Sequence, residues 1–475
     1  MSRHCSWMLL LAAACGAPRE IISTGATNAG PAAPAEVTIH AGETQPTTLS
    51  WGLVHGLTRN QIGSTNPTPL LRALQPKVWR MSNQPNDVLG YVVTDGQFPL
   101  VVGTRIVWNV QDSFLMSQGR NSSSRICVGS AACPTSDAVH FATFADFQAA
   151  WRAFLPRFLA MAPRFDWYDV FGEPDLQVIG IAYPDDLVTL YLDAESAIRA
   201  RYPQAKIVAP SYALFSEKDD NRLVEFVKKL RQRSGSADAI SWHEFGAHPG
   251  QVVDHAAAAR TAACGTSCPE LHINEYESGQ FTQLPGRQVA WLHYFQVADI
   301  QQANRACWDV QVVGGPKFST CWAGFDGLLD DTYQATQPIY WVHERYARMA
   351  QSGNWLVVSP FVDLDLANRH LSGVAAVAAA MGSATNEIRI LVGNFGFVDA
   401  TPLDVVLTGY PHRSDGQVSL TVERIPGIGG STISRTAQNP DPAVTTQLPV
   451  QGRRFVVRFP TVRSGDAYSI VVTPG

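Results

Sequence analysis

The 475-residue chain has no block of Lys and Arg, only 16% charged residues and a net charge of −5. Nucleic-acid binding rests on clustered positive side chains, so that class of partner is excluded. Nor does any stretch reach the roughly 20 apolar residues of a membrane-spanning helix; the apolar run Trp7 to Ala14 is far shorter. Cysteines number only 8. Their spacings do not form C-x2-C pairs and no His stands nearby at ligand spacing, so a structural zinc site is not expected. No internal repeat is evident, which excludes a solenoid.

At the N-terminus, Arg3 and His4 precede the apolar run and small residues follow it. Residues 1–15 therefore read as a secretory signal. Leu11-Ala12-Ala13-Ala14-Cys15-Gly16 resembles a bacterial lipobox, which would make Cys15 a lipid anchor; ordinary cleavage after a small residue is the alternative. Residues 16–36, rich in Ala, Pro, Gly, Thr and Ser, read as a flexible tether. Six further cysteines fall into close pairs, Cys127 with Cys133, Cys264 with Cys268 and Cys307 with Cys321. Disulfides between them suit an exported protein, whether secreted, periplasmic or held on the outer surface. The 12 Trp residues are expected mostly in the core, with some free to stack on sugar rings.

A chain of this length exceeds one ordinary core, so two domains are expected. From 49 to 350, strand and helix signals alternate, which predicts a parallel sheet. Strands are expected at Leu49 to His55, Val78 to Ser82, Leu100 to Asn109, Phe165 to Phe171, Ala205 to Pro210, Ala239 to His243, Glu270 to Glu275 and Phe318 to Phe325. Helices are expected from Pro184 and over Pro338 to Met349. The fold class is α/β, a (β/α)8 TIM barrel. From 355 to 475 helical periodicity gives way to short alternating segments, which predicts an all-β sandwich. The segment Glu36 to His40 alternates too, and residues 37–48 could pair with the sandwich. The sandwich reads as a buttress, with carbohydrate binding as the alternative.

Glu173, in Phe-Gly-Glu-Pro-Asp, and Glu275, in Ile-Asn-Glu-Tyr, each end a strand signal. They stand 102 residues apart, three steps of about 34, the length of one strand–helix unit in a barrel of roughly 250 residues. Both would open onto the face where such barrels carry their chemistry. Retaining hydrolysis of a glycoside needs such a pair, an acid for the leaving oxygen and a nucleophile about 5–5.5 Å away. The acid needs a raised pKa, which Trp167 and Phe171 would supply as apolar neighbours. The nucleophile needs a cation nearby, and Arg80 ends the second strand. Glu277 competes as nucleophile but lies two residues beyond the strand end. His55, Trp108, Asn109 and Trp322 fall at strand ends, where stacking or hydrogen bonding to sugar competes with core packing. Glu244 would line the cleft or form a local ion pair. No metal or organic cofactor is needed.

Three segments, Phe-Gly-Glu-Pro-Asp, Ile-Ser-Trp-His-Glu-Phe and Ile-Asn-Glu-Tyr, make the chain resemble clan A glycoside hydrolases, most closely glycoside hydrolase family 39. The resemblance implies Glu173 as acid/base, Glu275 as nucleophile, and His243 and Arg80 on the substrate side. It departs at Gly172, where the clan has an Asn that holds the sugar 2-hydroxyl, and at Glu244-Phe245, where a Tyr is usual. The expected function is a retaining, exo-acting glycoside hydrolase of a poly- or oligosaccharide. An endo-acting exopolysaccharide hydrolase and a catalytically inactive sugar-binding barrel are the alternatives. Specificity is expected in the loops Gln111 to Pro134 and Phe245 to Cys268.

Overall fold

A computed structural model describes residues 34–475 except 55–67, 82–103, 122–123, 130–132, 134–136, 163, 216–220, 246–247, 266, 278–282, 307–326, 331–333, 352–353, 366–369, 383–385, 397–400, 412–414 and 429–435. The signal segment, Cys15, the tether up to residue 33, His55, Trp322 and the Cys307/Cys321 pair lie outside the described residues. Ala35–Gly475 forms one compact unit.

The chain enters through β1 (Ala35–Thr44) and then builds a closed barrel. The barrel strands are β2 (Ser50–Leu53), β3 (Val78–Met81), β4 (Arg105–Asn109), β7 (Trp167–Asp169), β9 (Lys206–Tyr212), β10 (Ala239–Glu244), β11 (Glu270–Tyr276) and β12 (Gln302–Arg305). Each pairs in parallel with the next, and β12 closes on β2. Between them run helices α1 (Thr68–Leu74), α2 (Val110–Ser117), α3 (Phe144–Met161), α4 (Pro174–Gln177), α5 (Asp185–Arg201), α6 (Arg222–Gln232), α7 (Gln251–Ala263) and α8 (Pro285–Val297), with α9 (Pro338–Ala350) after β12.

Strand alternation sorts the side chains into two layers. Trp79, Ile106, Trp108, Tyr168, Ile207, Ile240 and Trp242 face outward into the large cluster shared with the helices. Their neighbours Val78, Val107, Trp167, Val208 and Ala239 form a small separate cluster, one from each of five adjacent strands. That is the packed interior of such a barrel. Continuing the rows of β3, β4, β7 and β10 by two residues reaches Arg80, Asn109, Asp169 and Ser241, then His243, all buried. The inward face thus turns from apolar to polar toward the C-terminal ends of the strands.

Two differences from the sequence reading stand out. The eighth strand is Gln302–Arg305; the expected segment Phe318 to Phe325 lies outside the described residues. Hydrophobic periodicity passes over β12 because three of its four residues are polar, although all four are buried. The supposed loop Gln111 to Pro134 also holds most of α2 and the strand β5 (Arg125–Val128), which joins β6 (Ala138–Phe141) and β8 (Val178–Ile179) in a three-stranded sheet. Helix α7 likewise occupies half of Phe245 to Cys268. Disulfides link Cys127 to Cys133 and Cys264 to Cys268.

After α9 come β13 (Asn354–Ser359), β14 (Phe361–Asp365), β15 (His370–Ala380), β16 (Ile388–Asn394), β17 (Thr401–Thr408), β18 (Gly416–Ile425), β19 (Val444–Val450), β20 (Phe455–Val462) and β21 (Ala467–Pro474). They form a mostly antiparallel ten-stranded sheet around their own apolar core. Strand β1 completes it, antiparallel to β13 and parallel to β17. Helix α8 packs on this sheet with no room to spare. A Cβ at Gly286 would stand 2.2 Å from the Asn394 carbonyl oxygen and 2.4 Å from that of Asp466.

Candidate active site

The buried guanidinium of Arg80 organises the polar end of the barrel. Its Nε donates to Asp169 Oδ2 at 2.9 Å and its Nη1 to Glu275 Oε1 at 2.6 Å. Asp169 Oδ2 also accepts from Ser211 Oγ at 2.9 Å and Asn274 Nδ2 at 3.1 Å. Burial alone would lower the pKa of Arg80, but Asp169 and Glu275 outweigh it and raise it further. The cation is therefore permanent. Glu275 Oε2, by contrast, is buried without a hydrogen-bond partner among the described residues.

A break in the strand register brings Glu275 to this place. Trp242 pairs with Ile273, yet the next residue, His243, pairs with Glu275. The extra residue forms a bulge, and bulges re-aim side chains. Asn274 and Glu275 consequently both reach the inner network, although simple alternation would send one of them outward.

Glu173 stands across from it. Its backbone is left-handed, φ 50°, a conformation that costs a non-glycine residue roughly 1–2 kcal/mol. It is held there by Glu173 N donating to the Ser211 carbonyl and Ser211 N donating to the Phe171 carbonyl, both at 2.7 Å. Gln177 Nε2 donates to Glu173 Oε2 at 3.4 Å. His243 Nδ1 lies 3.3 Å from Glu173 Oε1 and 3.9 Å from Glu275 Oε2.

These charges set the protonation. Burial pushes the Glu173 carboxyl up, but His243 and Arg80 outweigh it and the net shift is downward. Burial pushes His243 down, but Glu275 and Glu173 outweigh it and the net shift is upward. At rest the proton sits on the imidazole between two carboxylates. This overturns the expectation that Trp167 and Phe171 raise Glu173. Trp167 packs edge-on against His272 inside the barrel, and Phe171 stacks on Trp151 of α3.

One carboxylate oxygen each from Glu173 and Glu275 and one His243 nitrogen lie within 4.8 Å of one another. Among the described residues this is the one group whose donors could hold a metal ion. Arg80, bonded to Glu275, and a protonated His243 already supply its positive charge, so the arrangement suits proton transfer better than metal ligation.

The remaining sequence candidates divide. Asn109 is buried beside Gly172, the residue before Glu173: a Cβ built there would stand 2.4 Å from Asn109 Nδ2. Trp108 does not reach it. It faces outward, donates from Nε1 to Ser113 Oγ at 2.8 Å and stacks on Phe165. Glu244 faces outward too, with Oε1 accepting from Trp242 Nε1 at 2.5 Å and lying 2.7 Å from His255 Nδ1, so it takes the local ion pair. Glu277 is buried on Arg287, Gln288 and Trp291 of α8, away from the cluster. Sequence reasoning missed Asp169, Ser211, Asn274 and Asp112. Asp112, buried in the first turn of α2, is pushed well above the usual carboxylate range, first by burial and then by Asp169, Glu275 and Glu173 against the pull of Arg80. The signal for Asp169 was present, a charged residue in an otherwise apolar strand, two positions after the inward Trp167.

No protein-family model and no curated protein sequence matches the chain. Solved structures do. N2152 from Neocallimastix frontalis is 17% identical with a TM-score of 0.67, the match covering 93% of this chain and 100% of that one. A glucosidase from Croceicoccus marinus is 14% identical with a TM-score of 0.61, covering 94% and 100%. A family 39 β-xylosidase from Caulobacter crescentus is 17% identical with a TM-score of 0.54, covering 92% and 100%. Over nearly its whole length, then, the chain has the fold of these proteins, a barrel completed by a β-sandwich.

Proposed function

We propose that the protein is a retaining glycoside hydrolase. The observation that carries this is the asymmetric state of Glu275, with Oε1 fastened to Arg80 and Oε2 bare beside Glu173 and His243. A carboxylate oriented by one oxygen and open at the other is what nucleophilic attack requires. One oxygen of Glu173 and one of Glu275 lie within 4.8 Å of each other, which supports the short spacing of about 5–5.5 Å used by retaining enzymes over the about 6.5–9.5 Å of inverting ones. That solved neighbours include a glucosidase and a xylosidase points the same way.

The chemistry runs in two displacements. On substrate binding the proton of His243 crosses to Glu173. Glu275 Oε2 attacks the anomeric carbon while the bond to the leaving oxygen breaks and Glu173 protonates that oxygen. Water then attacks the same carbon, giving its proton to Glu173 and releasing the Glu275 carboxylate. Release of single residues from a chain end is the expected mode, read by whether monosaccharide is the first product. The two disulfides support a site of action in an oxidising compartment outside the cytoplasm.

A 2-fluoro glycoside with a good leaving group tests the reading. It should label a peptide carrying Glu275, and proton NMR should find the first product with the anomeric configuration of the substrate. Inverted product would sink the proposal.

A further inference from the structure

Two glutamine carboxamides lead to Glu173, and the groups around them fix which way each one points. Gln111, on α2, is buried, and its Nε2 donates to the Gly172 carbonyl oxygen at 2.9 Å and to Gln177 Oε1 at 2.5 Å. A backbone carbonyl only accepts, so the Gln111 atom that faces it is the amide nitrogen. That nitrogen needs an acceptor from Gln177, which turns the Gln177 nitrogen the other way, toward Glu173 Oε2 at 3.4 Å. Gln111 Oε1 is left buried without a partner among the described residues. The flipped carboxamide would be worse, with its oxygen set against two others.

Helix α4 gives Gln177 its reach. Gln177 stands one turn after Glu173, and its backbone N donates to the Glu173 carbonyl at 2.8 Å. Asp175, between them, accepts from Ala213 N at 3.0 Å and Leu214 N at 3.1 Å, which fastens the turn to the end of β9. The two displacements as written use neither glutamine.

We propose that Gln111 and Gln177 are positioning residues for the acid: they occupy Glu173 Oε2 with an N–H, so that Glu173 carries its catalytic proton on Oε1. This rests on the glycoside hydrolase reading and deepens it. In a protonated carboxyl one oxygen bears the O–H and the other is a carbonyl oxygen, and an N–H donor favours the carbonyl oxygen. Oε1 is also the atom 3.3 Å from His243 Nδ1. The proton leaving His243 thus arrives on the oxygen that Gln177 leaves free, while the bond to Oε2 keeps the carboxyl from turning. A contact of 3.4 Å is long at rest, as catalytic hydrogen bonds often are before substrate binds.

The test uses the 2,4-dinitrophenyl and phenyl glycosides of a sugar whose 4-nitrophenyl glycoside the wild-type protein cleaves. Dinitrophenolate leaves without a proton; the phenyl leaving group needs one from Glu173. Gln177→Met removes the donor and keeps the length, so kcat/KM should fall about 10–100-fold on the phenyl glycoside and stay within about threefold on the dinitrophenyl one. Gln177→Asn, too short to bridge, should show the same split. Gln111→Met should reproduce it from a residue that acts through Gln177, and Glu173→Gln should show it at full size. A merely structural role would slow both glycosides alike. Equal losses on the two, or no loss in the Gln177 variants while Glu173→Gln loses the phenyl glycoside, overturn this inference and leave the hydrolase reading standing. A split in the Gln177 variants without one in Gln111→Met strikes Gln111 from it. If wild type cleaves no glycoside, or Glu173→Gln cleaves the phenyl glycoside as well as wild type, both readings fall.

Discussion

His243 Nδ1 lies 3.3 Å from Glu173 Oε1, and burial without solvent makes that pair titrate as one unit. The imidazole is shifted up and the carboxyl down, so the pair keeps its last proton to a pH above the ordinary histidine range. Catalysis needs that proton on Glu173 at the moment the leaving group departs. The rate should thus hold as pH rises through 6.5, the reference value for His243, and fall only through the higher pKa of the pair. In His243→Asn the only proton left is that of a carboxyl, so the alkaline limb of kcat/KM should move toward acid by roughly one unit or more. A pH profile with an unmoved limb would separate His243 from the proton.

Glu275 and Glu277 are two residues apart and have opposite surroundings. Glu275→Gln should lower kcat by about 1,000-fold or more, since it removes the bare carboxylate oxygen that lies beside Glu173 and His243. Glu277→Gln should leave kcat within about tenfold, yet cost about 1–3 kcal/mol of stability by loosening a buried group bonded to Arg287, Gln288 and Trp291. Steady-state kinetics and chemical unfolding on the same two variants check this. A dead Glu277→Gln of wild-type stability would move the nucleophile.

Gly286 is one of the points where helix α8 meets the sandwich. Gly286→Ala would thrust its methyl within 2.2–2.4 Å of two carbonyl oxygens. Backbone must shift, and a loss of about 1–3 kcal/mol is expected, as for other overpacked positions. Thermal unfolding reads it; a midpoint equal to wild type would mean that the interface yields freely.

His293, on the same helix, donates from Nδ1 to the Ala376 carbonyl of β15 at 2.8 Å. Burial pushes it from 6.5 down to about 4. The unfolded chain binds this proton more readily, so stability is complete above about pH 6.5 and falls as the pH drops toward 4. The loss is on the order of 3 kcal/mol by pH 4. His293→Asn should flatten the acid slope of unfolding free energy between those values; an unchanged slope would assign it to other groups, among them His343, which burial pushes well below its ordinary value.

Seven of the eight barrel strands were legible because their outward rows, such as Trp79, Ile106 with Trp108, and Ile240 with Trp242, carry the apolar signal. The same alternation, followed one step further, places Trp108 and Glu244 on the outer layer and Asn109 and His243 inside. A strand-end position alone does not say which way a side chain points. Three things were hidden. Strand β12 is polar and buried, which no hydrophobicity pattern detects. The bulge that turns Glu275 inward depends on the pairing of β10 with β11, a long-range fact. The direction of the Glu173 pKa shift followed from His243, which arrives from β10 and is 70 residues away in sequence.

Strand β1 joins the sandwich through β13 and β17, whose residues come more than 300 positions later in the chain. At a synthesis rate of about 5–20 residues per second, the first strand to emerge would wait roughly 15–60 seconds before either partner exists. The whole barrel is in effect threaded between the first strand of the sandwich and the rest. No cut near residue 350 can therefore release an intact barrel and an intact sandwich, and a sandwich exchanged between proteins must bring along the segment that precedes the barrel. Until the last strands arrive, β1 is an open edge in need of protection.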